Sequence, residues 1–170
     1  MNTKVSKEEF PRLVRQHAAA VINLTARLLP DRREAEEVAQ DAFVKAFLQL
    51  GSFRGDSSFL TWVQRIAYHE ALDHLRRRQP HLIELSELQA VPEVEDFSTG
   101  REERILLLEE AVGQLPADDQ LLLHLFYYEE RPLREIAYVM ESEPNTLSQR
   151  LHRIRKRLMA MIKLKEDEQK

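Results

Sequence analysis

The segment PLREIAYVMESEPNTLSQRLHRIRKRLMAM, residues 132–161, decides the fold, because two apolar stripes at helical spacing flank a three-residue turn. Pro132 suits the first position of a helix, and apolar residues recur every three or four positions up to Met140. After the turn Glu141–Glu143, a second helix is predicted from about Pro144. Its apolar stripe is Leu147, Leu151, Ile154, Leu158 and Met161. Two amphipathic helices joined by a tight turn are typical of the helix-turn-helix motif.

The outward face of the second of these helices is polar and basic. It carries Asn145, Gln149, His152, Arg153 and Lys156 opposite the apolar stripe. Asn and Gln pair with adenine edges and Arg pairs with guanine, so this face is predicted to read duplex DNA. A solvated basic face on a helical hairpin is the alternative, because helix-turn-helix periodicity is not very specific.

Charge is distributed unevenly along the 170 residues. Residues 144–165 contain seven Lys and Arg and no acid, and Arg76–Arg78 form a second basic cluster. Since the whole chain carries −4 and the seven cations carry +7, the remainder carries −11. Two basic sites on an otherwise acidic chain indicate local contacts with nucleic acid.

Two helices with clear start signals open the chain. Ser6 and Glu9 form a capping box before the first helix, and Asp31 caps the second. Gly51 is expected to end the second helix as a left-handed residue. The stripe of this second helix is very regular: Ala35, Val38, Ala39, Ala42, Phe43, Ala46, Phe47 and Leu50.

The stretch FRGDSSFLTWVQRIAY, residues 53–68, places aromatic residues on both sides of a polar loop. Ser57 or Ser58 can cap a third helix, on which several of these aromatics are ordinary core. The loop itself, Arg54–Ser58, is too polar to be core and is equipped to hold an unstacked base. Extruding a base costs a few kcal/mol, and stacking it on an aromatic side chain returns about 1–3 kcal/mol.

An acidic segment separates these helices from the rest. Residues 79–100 hold two prolines, one glycine and five acids, without Lys or Arg, which is typical of a linker. Thr99 with Glu102 is expected to cap a fourth helix, and Pro116 to start a fifth. The predicted apolar stripe of the fourth helix is Ile105, Leu108, Val112 and Leu115.

These elements predict an all-α protein of two small helical domains joined by a flexible acidic linker. A three- to four-helix domain is expected at 1–80, the linker at 81–100, and a four-helix domain containing the helix-turn-helix at 101–170.

Several classes of protein are excluded by composition. Without cysteine there are no disulfides or thiolate metal sites, and a reducing compartment, the cytoplasm, is expected. The six histidines are scattered and no phosphate-binding glycine loop is present, so no catalytic residue, cofactor, metal or small-molecule substrate is predicted. The first ten residues lack the apolar core of a signal peptide, and no apolar run of about 18 residues indicates membrane insertion.

Three segments together resemble the extracytoplasmic-function (ECF) sigma factors of the sigma-70 family. They are AEEVAQDAFVKAF (35–47), SFRGDSSFLTWVQRIAYHEALDHLRR (52–77) and LPADDQLLLHLFYYEERPLREIAYVMESEPNTLSQRLHRIRKRL (115–158). That family comprises small two-domain initiation factors of bacterial RNA polymerase. The resemblance covers nearly the whole chain in the family's order and spacing.

The resemblance implies three sets of site residues. Docking on the coiled coil of the polymerase β′ clamp would use Glu37, Gln40, Asp41 and Phe43. Capture of a flipped base and contact with the −10 element would use Arg54, Gly55, Asp56, Ser57, Ser58, Phe59, Trp62, His69, Asp73, Arg76 and Arg77. Duplex contact with the −35 element would use Asn145, Thr146, Ser148, Gln149, Arg150, His152 and Arg153.

Further partners are implied by the same resemblance. The last domain would also touch the β flap, and the linker would thread toward the polymerase active site. An anti-sigma factor, often membrane-anchored, would bury the same surfaces, and a stress or envelope response is implied. Three positions depart from the family pattern: His69 replaces a common Asn, Ser148 a basic residue and Gln149 a Ser. The base preferences at both promoter elements therefore stay open.

Two other functions stay open. A stand-alone helix-turn-helix regulator would bind duplex DNA as a dimer without polymerase, and a helical adaptor or enzyme would need no DNA. The loop Arg54–Ser58 separates the first from an initiation factor, because a protein that binds only duplex DNA has no use for base capture.

Overall fold

The computed structural model describes residues 4–78 and 100–169, so the predicted linker lies outside the described residues except for Gly100. The described ranges form seven α-helices, a 3₁₀ turn at Leu50–Ser52 and a π-helical turn at His124–Tyr128. The helices are α1 Phe10–Leu28, α2 Arg32–Leu48, α3 Phe59–Arg78, α4 Arg101–Gly113, α5 Ala117–Leu123, α6 Leu133–Val139 and α7 Pro144–Glu168. No strand occurs in the described ranges, and the all-α prediction is confirmed.

The predicted capping interactions are present at the first two helices, although α1 itself begins at Phe10, just after its capping box. Ser6 N donates to Glu9 Oε2 at 3.0 Å and Glu9 N donates to Ser6 Oγ at 3.2 Å, which is a complete capping box. Asp31 Oδ1 accepts from Arg33 N at 2.8 Å at the start of α2. These bonds satisfy backbone donors that a helix start leaves without partners.

The core of the first half lies between α1, α2 and α3. Four alanines of the α2 stripe, Ala35, Ala39, Ala42 and Ala46, are buried and allow close approach of the neighbouring helices. The hydroxyl of Thr25 donates to the carbonyl of Ala35 at 2.7 Å, which ties α1 to α2. Phe47 belongs to the predicted stripe but stays 41% exposed, with its ring edge-on to Phe10 at 5.2 Å.

The core of the second half is built on the long helix α7. Its predicted stripe is buried at Leu147, Leu151, Ile154 and Leu158. At the next turn Ile162 is buried, whereas Met161 is only half-buried. A repeat of 3.6 residues per turn makes the buried seam drift around a helix of this length.

Helix boundaries differ from the prediction at three positions, Gly51, Pro116 and Pro132. α2 ends at Leu48 and the chain enters the 3₁₀ turn Leu50–Ser52, so Gly51 is not a left-handed terminator; among the described glycines positive φ occurs at Gly55. Pro116 precedes α5 with φ −53° and ψ 146°, and Pro132 precedes α6 with φ −60° and ψ 142°, so neither proline begins its helix. The expected cap Thr99 lies outside the described residues.

The predicted stripe of α4 is wrong at two positions. Leu107, Ala111 and Leu115 are buried, whereas Ile105 and Leu108 are 47% and 41% exposed. Four successive apolar residues at 105–108 fit either register, and the main neighbour of this helix is α7 alone. The apolar periodicity of α4 therefore does not predict which face of the helix is buried.

The first half of the chain, α1–α3, packs against the second half, α4–α7. α3 lies against α6, α1 lies against α5, and the buried apolar side chains form one cluster. None of the described helices is long and apolar enough to cross a membrane.

Candidate nucleic-acid interfaces

A cleft of about 270 Å³ opens beside the loop that precedes α3. Gly55, Ser57 and Ser58 line one side of it, between the rings of Phe53 and Phe59. The rest of the lining comes from residues just before α1 and from its first turn. This cleft, here called the loop cleft, lies where base capture was predicted.

Aromatic packing fixes the loop from behind. Phe53 and Trp62 lie 4.9 Å apart between ring centroids, and Phe59 lies edge-on to Phe53 at 6.2 Å and to Phe10 at 5.7 Å. Trp62 is only 9% exposed and does not line the cleft, although the family pattern places it among the −10 contacts. The structure therefore gives Trp62 a supporting position.

The loop backbone has a defined geometry. Gly55 has φ 76°, the left-handed region that favours glycine. Ser58 Oγ accepts from Thr61 N at 3.1 Å, so Ser58 is the residue that caps α3. Ser57 Oγ donates to Ser58 O at 3.2 Å. The neighbouring Arg54 and Asp56 are exposed.

The far end of α3 carries the remaining predicted −10 residues. Arg76 and Arg77 are exposed, and Arg76 Nη1 lies 3.6 Å from Asp73 Oδ1. His69 is half-buried, and its Nε2 lies 2.5 Å from Glu141 Oε1 in the turn between α6 and α7. The side chain of His69, which was predicted to contact DNA, therefore lies against a residue of the second half of the chain.

Arg131 joins the two halves through a partly buried polar cluster. Its guanidinium donates to Gln64 Oε1 at 2.8 Å, to Thr61 Oγ1 at 3.1 Å and to Glu135 Oε1 at 2.6 Å. Thr61 Oγ1 also donates to Glu135 Oε1 at 2.8 Å. Burial alone would raise the pKa of Glu135, but the bonds from Arg131 and Thr61 hold it below its usual value. The interface therefore contains an ionised, hydrogen-bonded pair.

A second contact between the halves surrounds Glu141. Arg65 Nη2 donates to Glu141 Oε1 at 2.9 Å, and the guanidinium lies 4.5 Å above the ring of Tyr138. Burial would raise the pKa of Glu141, but the charges of His69 and Arg65 and their hydrogen bonds hold it below its usual value. One acidic side chain of the second half thus binds two cationic or basic groups of α3.

A third contact links α3 to the helix-turn-helix through Asp118. Tyr68 OH donates to Asp118 Oδ1 at 2.7 Å, and Arg150 donates to Asp118 Oδ2 and Asp119 Oδ1, each at 2.7 Å. Burial raises the pKa of Tyr68 and nearby Asp118 adds to the rise, so the phenol remains a donor. Burial would lower the pKa of Arg150, but the two carboxylates outweigh it and raise it. Arg150 is therefore engaged inside the protein and not on the outward face.

The outward face of α7 carries the other predicted −35 residues, all exposed: Asn145, Thr146, Ser148, Gln149, His152 and Arg153. Four of them line an open groove of about 420 Å³ together with Arg155. Arg155 Nη1 donates to the hydroxyl of Tyr127 at 2.8 Å. Arg155 and Tyr127 were not predicted as site residues, because the periodicity of α7 does not reveal which residue of the π-helical turn lies beside it.

The outward face of α2 combines acidic and apolar groups. Glu37, Gln40 and Asp41 are exposed as predicted, whereas Phe43 is buried in the core at 7% exposure. Val44 and Leu48 follow on the same face at 59% and 76% exposure. Val44 and Leu48 were not predicted as interface residues, although their helical spacing from Glu37 and Gln40 places them on the same face.

The half-buried His124 makes stability depend on pH. Its Nε2 lies 3.2 Å from Glu129 Oε1 and its ring stacks on Tyr128 at 4.7 Å. Burial lowers the pKa of His124, Arg27 adds to this, and Glu129 opposes it. Because the unfolded state binds the proton more readily, stability falls as pH drops through the unfolded value of about 6.5.

We expect His124→Gln to lose less stability than the unchanged chain between about pH 7.5 and about pH 5.5. Urea denaturation at each pH measures the difference. His152→Gln is the matched control, since His152 is exposed on α7, and its pH dependence should match that of the unchanged chain. An equal pH dependence for both variants would contradict the role of His124.

The fold and these surfaces define a helix-turn-helix protein whose first half carries a separate cleft beside a glycine loop. Two family models match it: sigma-70 region 2 over residues 13–81 and sigma-70 region 4 over residues 105–158. The chain is an RNA polymerase sigma factor.

Similarity to named proteins places it more closely. The RNA polymerase sigma-H factor of Pseudomonas aeruginosa is 34% identical over 166 residues, covering 88% of this chain and 83% of the relative. The ECF RNA polymerase sigma-E factor of Escherichia coli K12 is 32% identical over 169 residues, covering 89% and 85%. The chain belongs to the ECF sigma factors of the sigma-70 family.

Solved structures share the fold. The sigma factor RpoE in complex with the anti-sigma factor NepR from Bartonella quintana has a TM-score of 0.64 at 20% identity, covering 92% of this chain and 98% of that one. CnrH in complex with the cytosolic domain of CnrY has a TM-score of 0.62 at 22% identity, covering 94% and 90%.

Proposed function

We propose that this sigma factor reads two promoter elements in different ways, single-stranded DNA at −10 and duplex DNA at −35. The observation that carries the proposal is the coexistence of the loop cleft and the open α7 groove in one chain. A small cleft with hydroxyls and a left-handed glycine suits one extruded base. A helix face with Asn, Gln and Arg suits the major groove.

The −35 contact is assigned to the outward face of the N-terminal half of α7. Gln149, His152 and Arg153 occupy successive outward positions beside Ser148 and Arg155. Arg153 is proposed to read a base, and Arg155, oriented by the Tyr127 hydroxyl, to bind a phosphate. Arg150 is left out of the direct contacts because two carboxylates hold it.

The polymerase contact is assigned to the outward face of α2. Exposed acids beside two exposed aliphatic side chains are the composition expected of an interface whose apolar centre is ringed by polar groups. Val44 and Leu48 supply that centre, and Glu37, Gln40 and Asp41 the polar part. Phe43 supports the helix from inside. The β′ clamp is the proposed site for this face on polymerase, and the last domain is proposed to touch the β flap.

An anti-sigma factor is the proposed regulator, acting in the cytoplasm. One of the solved structures named above is a sigma factor bound to an anti-sigma factor, and the other is CnrH bound to the cytosolic domain of CnrY. Exposed Ile105, Leu106 and Leu108 on α4 leave an apolar face that such a partner can cover.

Permanganate footprinting tests the proposed function. The purified chain is mixed with core polymerase and promoter DNA, and reactive thymines are mapped around the −10 element. We expect reactive bases with both proteins present and none with either protein alone. Absence of melting, with no association with core polymerase, would contradict the proposal, and tight duplex binding without polymerase would favour a stand-alone regulator.

Gly55→Ala is expected to weaken melting by distorting the loop. An alanine at φ 76° costs about 1–2 kcal/mol, which shifts the loop away from the geometry that forms the cleft. Promoter opening by the holoenzyme should fall about tenfold for a loss of that size, while core binding stays unchanged.

Gly51→Ala is the matched control for Gly55→Ala. Its φ is not positive, and an added Cβ would meet nothing within 4 Å. Equal promoter opening by the two variants would show that the loop geometry does not matter for capture.

A further inference from the structure

Part of the loop cleft is lined by residues just before α1 and in its first turn. Val5, Glu9, Arg12 and Leu13 line it. The edge-on contact of Phe10 with Phe59 at 5.7 Å fixes this part of the lining relative to the loop. The cleft therefore presents charged side chains from a segment whose sequence indicates only a helix cap.

Glu9 keeps acceptor capacity toward the cleft. Its Oε2 accepts from Ser6 N at 3.0 Å, which holds the side chain in one position. Its Oε1 lies 3.8 Å from Arg12 Nη2, too far for a hydrogen bond. The backbone N–H of Ser6, followed by its hydroxyl, lowers the pKa of Glu9. An ionised carboxylate only accepts hydrogen bonds.

The size and polarity of the cleft limit what it holds. Its volume of about 270 Å³ is below that of ordinary ligand pockets, roughly 300–1,000 Å³. Such a space suits one base. Cytosine, adenine and guanine each carry an exocyclic amino group that can donate to a carboxylate. An extruded base also exposes its Watson–Crick edge, and there the single donor of thymine, N3–H, lies between two carbonyl oxygens that repel a carboxylate.

We propose that Glu9 is a specificity-determining residue that favours an amino-bearing base over thymine at the position captured by the loop cleft. This inference rests on the proposed function. The carboxylate accepts a hydrogen bond from the amino group, while the carbonyl oxygens of thymine would face a negative charge. Thymine at this one position is thus disfavoured.

Glu9→Gln separates this role from helix capping. Glutamine also serves at the third position of a capping box, so the bond from Ser6 N is retained while the acceptor-only carboxylate becomes an amide that can donate. Glu8→Gln is the matched control, because Glu8 is exposed and does not line the cleft but carries the same charge. The two variants should have equal melting temperatures.

The test uses holoenzyme assembled with core polymerase and a DNA library whose −10 non-template strand is single-stranded and randomised. Bound molecules are sequenced. We expect the unchanged chain to deplete thymine at one position, and Glu9→Gln to raise thymine there about fivefold, the lower end of what one good base contact provides. Glu8→Gln should leave that position unchanged.

Three results would overturn the assignment to Glu9. The Glu9→Gln profile could match that of the unchanged chain. It could change equally at all positions, as Glu8→Gln would if charge alone acted. The unchanged holoenzyme could also show no preference at any position while Glu8→Gln behaves identically. That last result would contradict base capture, and therefore the proposed function, and it would also remove the basis for a role of Glu9.

Discussion

Replacing Arg150 by alanine is expected to lower the free energy of unfolding by about 3 kcal/mol, because removal of one partner of a buried ion pair leaves the other charge uncompensated. Asp119 is 3% exposed and its Oδ1 accepts from Arg150 Nε at 2.7 Å. Asp118 would also lose its charge partner while still accepting from Tyr68. Urea denaturation followed by circular dichroism measures the loss.

Arg153→Ala is the matched control, because Arg153 lies on the same helix but is exposed. Its unfolding free energy should stay within about 0.5 kcal/mol of the unchanged value, while its −35 binding becomes weaker and less selective. At a temperature where both variants are folded, Arg150→Ala should retain its −35 base preference. If Arg150→Ala instead keeps full stability and loses that preference, the side chain leaves its carboxylates to contact DNA.

The sequence predicts helices well wherever a cap and a one-sided stripe agree. Ser6, Glu9 and Asp31 cap as expected because capping depends on neighbours within a few residues. The helix α4 fails this test: Ile105 through Leu108 are all apolar, so only the position of α7 decides that Leu107 is covered.

The candidate sites were predictable to different depths. The loop cleft and the outward face of α7 follow from local composition, and the structure places both on the surface. The burial of Trp62 and Phe43 does not follow, because an aromatic residue on a helix can support a site or belong to it. The inward position of Arg150 could not be predicted from local sequence either, since its partners lie 31 and 32 residues away.

Replacing Arg131 by alanine is expected to separate the two halves of the chain without unfolding either. Its side chain is 10% exposed and satisfies Thr61, Gln64 and Glu135 together. Without it, these groups are left short of partners, which costs about 1–3 kcal/mol. When the halves separate, water can hydrate these polar groups. The substitution therefore weakens the contact between the halves and leaves the stability of each half unchanged. Every 1.4 kcal/mol shifts the closed population about tenfold.

Small-angle X-ray scattering of the full chain measures this separation as a larger radius of gyration. Arg134→Ala is the matched control, because Arg134 lies three residues after Arg131, is exposed on α6 and is outside the Arg131 cluster. Its scattering should match that of the unchanged chain. An Arg131→Ala chain that scatters like both would show that the apolar contacts of α1 with α5 and α3 with α6 hold the halves together alone.

The same variant has a consequence for DNA, because the contact between the halves engages groups on the −10 side. Glu141 binds Arg65 and His69, and Asp118 accepts from Tyr68. Separation frees all three side chains, so Arg131→Ala should bind a single-stranded −10 oligonucleotide several-fold more tightly than Arg134→Ala. In the unchanged chain, only the molecules whose halves have separated can bind. The gain in affinity therefore equals the increase in the separated fraction. A larger radius of gyration without tighter binding would mean that α3 contacts DNA through Arg76 and Arg77, which the second half never engages among the described contacts.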